Sequence, residues 1–205
     1  MPSLLNPIYP PMIRSIPVAQ HSEEVEANFW QPIFAKAGQL PLWGAIFGGL
    51  PSIRLTRDRL LNHPYPSNEH KCAEILLWGY PRNLNQVVTN ALPNLAVIAG
   101  AAPVLANWPA YFQALNAIGG INISSITKFA YFYSHIFSGQ PALILDLQLI
   151  AKTARWQEVT IPGLAYHNAR KNYLAYLQAM HTAAAAIHCA GDQLEFFLFA
   201  LGDSF

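Results

Sequence analysis

The chain has 205 residues, 53% hydrophobic and 11% charged, with a net charge of +1. That length suffices for one large or two small domains around a sizeable core, and the near-neutral balance gives neither the basic signature of most nucleic-acid modules nor that of an anionic-membrane binder. No apolar run reaches the roughly 18 residues of a membrane-spanning helix, no basic segment precedes an apolar core as in a secretory leader, and Cys72 and Cys189 lack a disulfide or metal spacing, which fits a cytoplasmic chain with free thiols.

Residues 1–16 hold four prolines and little periodicity, and read as an extended arm. Ser22-Glu23-Glu24 reads as a helix start, because acidic groups favour the positive end of the helix dipole. Val25, Phe29 and Trp30 fall on one side of that helix, and Pro32 disturbs or ends it. Residues 39–51, with Pro41, Gly44, Gly48 and Gly49, read as a loop or a short broken helix. Thr56 caps or opens a short helix that the prolines at 64 and 66 break, and Ser67-Asn68-Glu69 starts another carrying Ala73, Ile75, Leu76 and Trp78. Residues 79–83 form a turn, residues 84–92 a helix, and residues 93–105 a second helix, apolar nearly all round and therefore expected at the centre of the fold. Pro109 suits the first turn of a helix starting at Trp108. Residues 156–162 read as a loop, 166–189 as the longest helix and 193–201 as the last one. Strand signals are confined to residues 142–145 and 159–161. The expected fold is mainly α, one domain over residues 1–205, as one compact unit or as two helical lobes with a cleft.

The stretch from Gly119 to Ile150 organises the rest. Ser124 or Ser125 can cap a helix that runs through Lys128, Tyr131 and His135 and stops near Ser138-Gly139. Pro141 bars an immediate restart, and Asp146 stands where a helix over residues 147–154 begins. Lys128 and Asp146 are the only Lys, Arg, Asp or Glu between Arg82 and Lys152. A buried unpaired charge is costly, so both are expected to reach a common polar cavity or to reach solvent. The plain alternatives are a lysine that snorkels from an apolar helix and an aspartate that only caps. Basic residues are few. Arg54, Arg57 and Arg59 cluster, Lys71, Arg82, Lys152, Arg155, Arg170 and Lys171 follow, and they form either a modest basic face or ordinary solvated surface.

The succession of helix-start serines, Lys128 in SSITKFA, a proline loop and the capping Asp146 in SGQPALILD resembles the helix-hairpin-helix DNA glycosylases, in particular the 8-oxoguanine glycosylase fold. The resemblance covers residues 111–150 well, with the hairpin motif over 109–138, and the remainder loosely. It departs at the turn, where the family's Gly-hydrophobic-Gly becomes Gly120-Ile121-Asn122, with Asn122 expected in a left-handed position. Small bacterial and archaeal branches have similarly altered hairpins. The chain shows no counterpart of the N-terminal β domain of the full-length repair enzymes.

What the resemblance implies is a DNA glycosylase that flips a nucleotide out of the stack and breaks its bond to the sugar, with Lys128 and Asp146 as the catalytic pair. If the Lys128 amine is neutral it attacks C1′ and forms an imine, with strand nicking as a further outcome; if it stays charged it orients DNA or water, and a plain abasic site results. Asp146 stabilises positive charge developing on the sugar. Gly119, Gly120, Asn122, Ser124, Ser125, Lys152 and Arg155 are the DNA-contact candidates, and Tyr131, Phe132 and His135 the candidates for a base-pocket wall, although core packing is the plain reading of all three. The implied partner is double-stranded DNA containing a modified base, with no cofactor, no metal and no membrane, and the chain acting as a monomer. Two substrates fit: glucosylated hydroxymethylcytosine of phage DNA, on which small phage-defence glycosylases of this type act, and 8-oxoguanine.

Other chemistry finds little support in the residues. His63, His70 and Cys72 lack the second half of a zinc site. Residues 44–49 lack the Lys-Ser or Lys-Thr end of a phosphate loop, and no Gly-x-Ser-x-Gly elbow occurs. The alternative of another class is a non-catalytic helical protein that binds a partner through exposed apolar surface.

Overall fold

The computed structural model describes residues 1–81, 86–119 and 121–201. The helices in chain order are α1 (Tyr9–Arg14), α2 (Ala27–Lys36), α3 (Leu40–Phe47), α4 (Arg57–Asn62), α5 (Asn68–Gly79), α6 (Gln86–Ala91), α7 (Leu95–Ala101), α8 (Trp108–Asn116), α9 (Ile123–Phe132), α10 (Leu147–Thr153), α11 (Ala169–Ala186) and α12 (Gly191–Leu201). Among the described residues four short strands accompany them: β1 (Ser22–Glu26), β2 (Ser52–Thr56), β3 (Ile136–Phe137) and β4 (Gln140–Pro141). The fold is mainly helical, as expected, and the chain divides into two compact units, one of Ala19–Tyr133 and one of Met1–Val18 with Ser134–Phe205.

In the unit Ala19–Tyr133, β1 and β2 pair antiparallel with Glu24 opposite Arg54 and Val25 opposite Ile53. The expected helix start at Ser22 is therefore a strand. Its partner is contributed from about thirty residues further on, beyond two helices, and Val25, Ile53 and Leu55 turn to the core while Glu24 and Arg54 face out. Cross-strand pairs of this kind stabilise a ribbon that local helix signals do not foresee. The next helix begins only at Ala27 and runs through Pro32 to Lys36. Residues 40–47, expected as loop or broken helix, form a continuous α3 that Gly48 ends in a left-handed conformation. Thr56 caps α4 as expected, accepting from the Arg59 N–H at 3.0 Å.

The central element of this unit is α5, which packs on α7 and α9. The run expected as an all-buried helix over residues 93–105 is the shorter α7, preceded by a 3-10 turn at Leu92–Asn94. It buries Leu95, Ile98 and Ala99 on one side and leaves Val97 exposed, so it is amphipathic by position rather than by sequence. Glu74 of α5 is fully buried. Its carboxylate accepts from Arg59 Nε at 2.9 Å and Nη2 at 2.5 Å, from Tyr65 Oη at 2.9 Å, and lies 3.3 Å from His70 Nε2. Burial and the adjacent carboxylate both push the Tyr65 hydroxyl pKa up. Removing one member of a buried pair leaves the other uncompensated. Glu74→Ala is thus expected to cost about 3 kcal/mol, the low end of the range because the Arg59 side chain is partly solvated. That is about 6–12 °C in Tm for a chain of this size. A calorimetric Tm within about 2 °C of wild type would show that the network adds no net stability.

In the other unit, residues 1–16 are not a bare extended arm. They contain α1, whose Tyr9 packs edge-on to Trp156 and tilted on Phe197, with ring centroids at 5.1 and 6.0 Å. Ser3 Oγ and the Leu4 N–H both donate to Glu158, which anchors the arm's start. Neither expected strand forms. Residues 157–159 are a 3-10 turn. Residues 142–145 belong to no strand, and side chains take the backbone groups of Leu143 and Ile144. Tyr173 Oη donates to the Leu143 carbonyl at 2.6 Å and Tyr176 Oη to the Ile144 carbonyl at 2.8 Å, while the Ile144 N–H donates to Glu195 at 2.9 Å. The long helix expected over residues 166–189 is the shorter α11, preceded by a 3-10 turn at Tyr166–Asn168 and ended at Ala186. His188 adopts a left-handed conformation, and the Cys189 and His188 N–H groups donate back to Ala184 and Ala185.

Candidate active site

Helix α9 follows α8 through a short connection, and its N-cap is Asn122, not Ser124 or Ser125. The Asn122 Oδ1 accepts from the Ser125 N–H at 3.0 Å. With φ −109° and ψ 174°, Asn122 is extended rather than left-handed, because a cap needs its side chain directed back at the first-turn amides. The Ser124 and Ser125 hydroxyls are thereby free for other work inside α9. Gly119 is exposed in the connection, and Gly120 lies outside the described residues.

Lys128 sits in the second turn of α9, only 7% exposed. Its Nζ donates to Ser124 Oγ, one turn back, at 2.6 Å, and lies 5.7 Å from the centre of the Tyr80 ring. Tyr80 Oη is in turn 2.9 Å from Ser125 Oγ and 3.5 Å from Asn122 Oδ1. The lysine does not snorkel along α9 to open solvent. Its nitrogen lies against the Ser124 hydroxyl and the Tyr80 ring, groups that steady the amine.

Below Lys128 on the same helix, Tyr131 and Phe132 are buried. Phe132 packs edge-on to Trp78 at 5.1 Å. The Arg57 guanidinium, 2% exposed, lies between the rings of Trp78 and Tyr131, 5.4 and 5.1 Å from their centres. Such cation–π contacts are strongest when desolvated. His21 lies edge-on to the same Trp78, and burial, helped by the Arg57 charge, depresses its pKa to about 4, so it is neutral at neutral pH. Helix α9 ends at Phe132, earlier than the expected stop at residues 138–139, and Tyr133 closes it with Ser134 left-handed. Ser138 and Gly139, also at positive φ, instead form the turn between β3 and β4. His135 is therefore not on the lysine's helix. It is buried, stacked on Phe137 at 5.8 Å, and its carbonyl accepts from the Ala142 N–H at 2.8 Å.

Asp146 caps α10 as expected, with Oδ1 accepting from the Leu149 N–H at 2.9 Å. It is half-buried and, among the described residues, has no ion-pair partner. The clamped segment before it fixes where the cap falls. Lys128 and Asp146 belong to different units of the chain.

The basic residues differ in their burial and partners. Arg57 is buried between rings and Arg59 is bound to Glu74. Arg54 is exposed on β2, where its Nε donates to Ser22 at 2.8 Å. Lys71 lies over the Tyr133 ring at 4.7 Å. Lys152 is buried, its Nζ donating to the Phe199 carbonyl at 2.5 Å, so it ties α10 to α12 rather than presenting its charge outward. Arg155, Arg170 and Lys171 are exposed, and Arg82 lies outside the described residues. Burial pushes the Cys72 thiol up to about 12 and the Cys189 thiol up to about 11, which leaves neither as a thiolate nucleophile. Two site neighbours were not foreseen, Gly79 and Tyr80. Their only sequence signal is a Gly-Tyr-Pro turn, which says nothing of what the turn packs against.

A mainly helical chain with a lysine in the helix after a glycine-bearing connection, and an aspartate capping the next helix, has the parts of a helix-hairpin-helix DNA glycosylase. The family described as "Putative 8-oxoguanine DNA glycosylase OGG-like protein" matches residues 16–199, and the chain belongs to that family. No curated protein and no solved structure gives a significant match to the chain. Among the described residues no helix is long and apolar enough to cross a membrane.

Proposed function

We propose that this protein is a catalytic DNA glycosylase that excises a modified base, with Lys128 as nucleophile and Asp146 as the charge-stabilising carboxylate, acting in the cytoplasm on double-stranded DNA. The observation that carries the reading is the setting of Lys128: a buried amine on the hairpin-led helix, held by Ser124 and Tyr80. A flipped nucleotide presents C1′ to this amine. The bond from C1′ to the base nitrogen breaks, its electron pair leaves with the base, and the sugar gains positive character that a carboxylate stabilises. The lone pair of neutral Nζ forms the new bond at C1′, and loss of a proton with opening of the sugar ring gives the imine. Water then releases an abasic site, or elimination nicks the strand.

For the substrate, glucosylated hydroxymethylcytosine of phage DNA is the first candidate, on the resemblance to the small phage-defence glycosylases that act on such bases. The oxidised purine named in the family's description is the second. The test is incubation with phage DNA carrying or lacking the glucosylated base, and with an 8-oxoguanine duplex, followed by labelling of abasic aldehydes. Aldehydes are expected in the glucosylated DNA and not in its unmodified counterpart. Labelling of the 8-oxoguanine duplex alone assigns repair instead. No aldehyde in any of them, with no adduct trapped by borohydride, overturns the enzymatic reading and leaves a partner-binding protein.

A further inference from the structure

The last turn of α5 runs directly against the Lys128 side chain. A methyl group placed on Gly79 would have three Lys128 atoms as its nearest neighbours, Cδ at 2.9 Å, Cε at 3.1 Å and Nζ at 3.9 Å. Distances near 3 Å are tighter than real side chains adopt, so the lysine would have to move. Gly79 is not left-handed, and its backbone does not require glycine. In a helix glycine is the poorer choice against alanine. What the residue provides at this position is space. Tyr80, the next residue, supplies the ring beside the amine and is fixed by its hydroxyl contacts to Ser125 and to Asn122, the cap of α9. Ser124 closes another side. A long, flexible stem is thus confined to one path by a missing side chain, an aromatic face and a hydroxyl, all contributed by two elements of the same unit.

We propose that the Gly79-Tyr80 turn is a positioning device for the Lys128 amine: the bare Cα of Gly79 is the slot in which the lysine stem lies, and Tyr80 with Ser124 sets where its nitrogen stops. The catalytic consequence rests on the reading of Lys128 as nucleophile; the geometric claim does not. Attack at carbon requires the nitrogen in a near-attack position, and a displacement of about 1 Å costs on the order of a hundredfold in rate.

The experiment compares wild type with Gly79→Ala and Tyr80→Leu by two readouts. The first is the NMR resonances of the Lys128 side-chain methylenes, assigned with Lys128→Met. The second is single-turnover cyanoborohydride trapping on a duplex with one abasic site, whose aldehyde is a substrate for such an amine whatever base the enzyme prefers. In wild type the Cε protons are expected upfield of free lysine, shifted by the Tyr80 ring. In Gly79→Ala they move back toward the free value, Tm is equal to or above wild type, binding of the abasic duplex stays within about twofold and adduct formation falls about a hundredfold. Tyr80→Leu removes the upfield shift without adding bulk at 79, and lowers trapping with the duplex still bound. Unchanged Lys128 resonances in Gly79→Ala overturn the slot, whatever the activity. Shifted resonances with undiminished trapping overturn the claim that this position sets the rate. If wild type traps nothing and releases no base, the nucleophile reading fails, while the resonances still decide whether the slot exists.

Discussion

Lys128→Gln is expected to lower base release by about a thousandfold or more and to eliminate the borohydride-trapped adduct, with Tm close to wild type. Glutamine removes the nucleophilic amine but keeps an unbranched stem and an N–H donor directed toward Ser124, the group that the lysine engages at 2.6 Å. It also removes a charge from a site that is 7% exposed, so no unpaired buried cation is left behind. Lys128→Arg separates attack from electrostatics. Arginine keeps the positive charge and stays protonated, so a nucleophilic lysine predicts that it too loses the adduct. If Lys128→Arg keeps near-normal base release, the lysine works by charge and an activated water does the displacement. If Lys128→Gln keeps full activity, the residue is a structural lysine of α9 and the proposed function loses its nucleophile.

The parts of this fold legible in the sequence are those whose signals are local. Thr56, Ser67 and Asp146 are read as helix starts and act as side-chain caps, because a cap involves only three or four neighbouring residues. The pairing of β1 with β2 was not legible, since Ser22-Glu23-Glu24 is a good local helix start and its strand partner lies beyond two helices. The run before Asp146 carries β-forming residues, yet hydroxyls of α11 and a carboxylate of α12 satisfy its backbone, information held some thirty to fifty residues away. At the site, Lys128 and Asp146 stood out because so few charges surround them in the sequence. Their neighbours did not: the helix cap expected at Ser124 or Ser125 is Asn122, the two serines turn inward to Lys128 and Tyr80, and Arg57, read as part of a basic face or as solvated surface, is a buried cation against two rings. Charge type is visible in a sequence; whether it faces solvent is decided by packing from elsewhere.

Asp146→Asn tests the other half of the pair, and its power lies in what it leaves alone. The Asp146 Oδ1 accepts from the Leu149 N–H at 2.9 Å, and asparagine caps helices about as well as aspartate. Tm is therefore expected within about 2 °C of wild type. Asp146→Ala loses the cap and is expected to cost about 1 kcal/mol, or about 2–4 °C. Activity should follow the charge rather than the cap. A carboxylate that opposes positive charge building on the sugar acts only as the bond breaks, so its removal should lower the rate of base release by about a hundred- to a thousandfold and leave DNA affinity nearly unchanged. Both variants should be equally inactive although they differ in stability. Two other patterns lead elsewhere. If activity falls in step with Tm, so that Asp146→Ala is impaired and Asp146→Asn is not, the residue is a helix cap and no more. If both variants keep an undiminished imine adduct on abasic DNA but fail to release a base, the carboxylate serves the glycosidic bond alone, and imine formation at Lys128 proceeds without it.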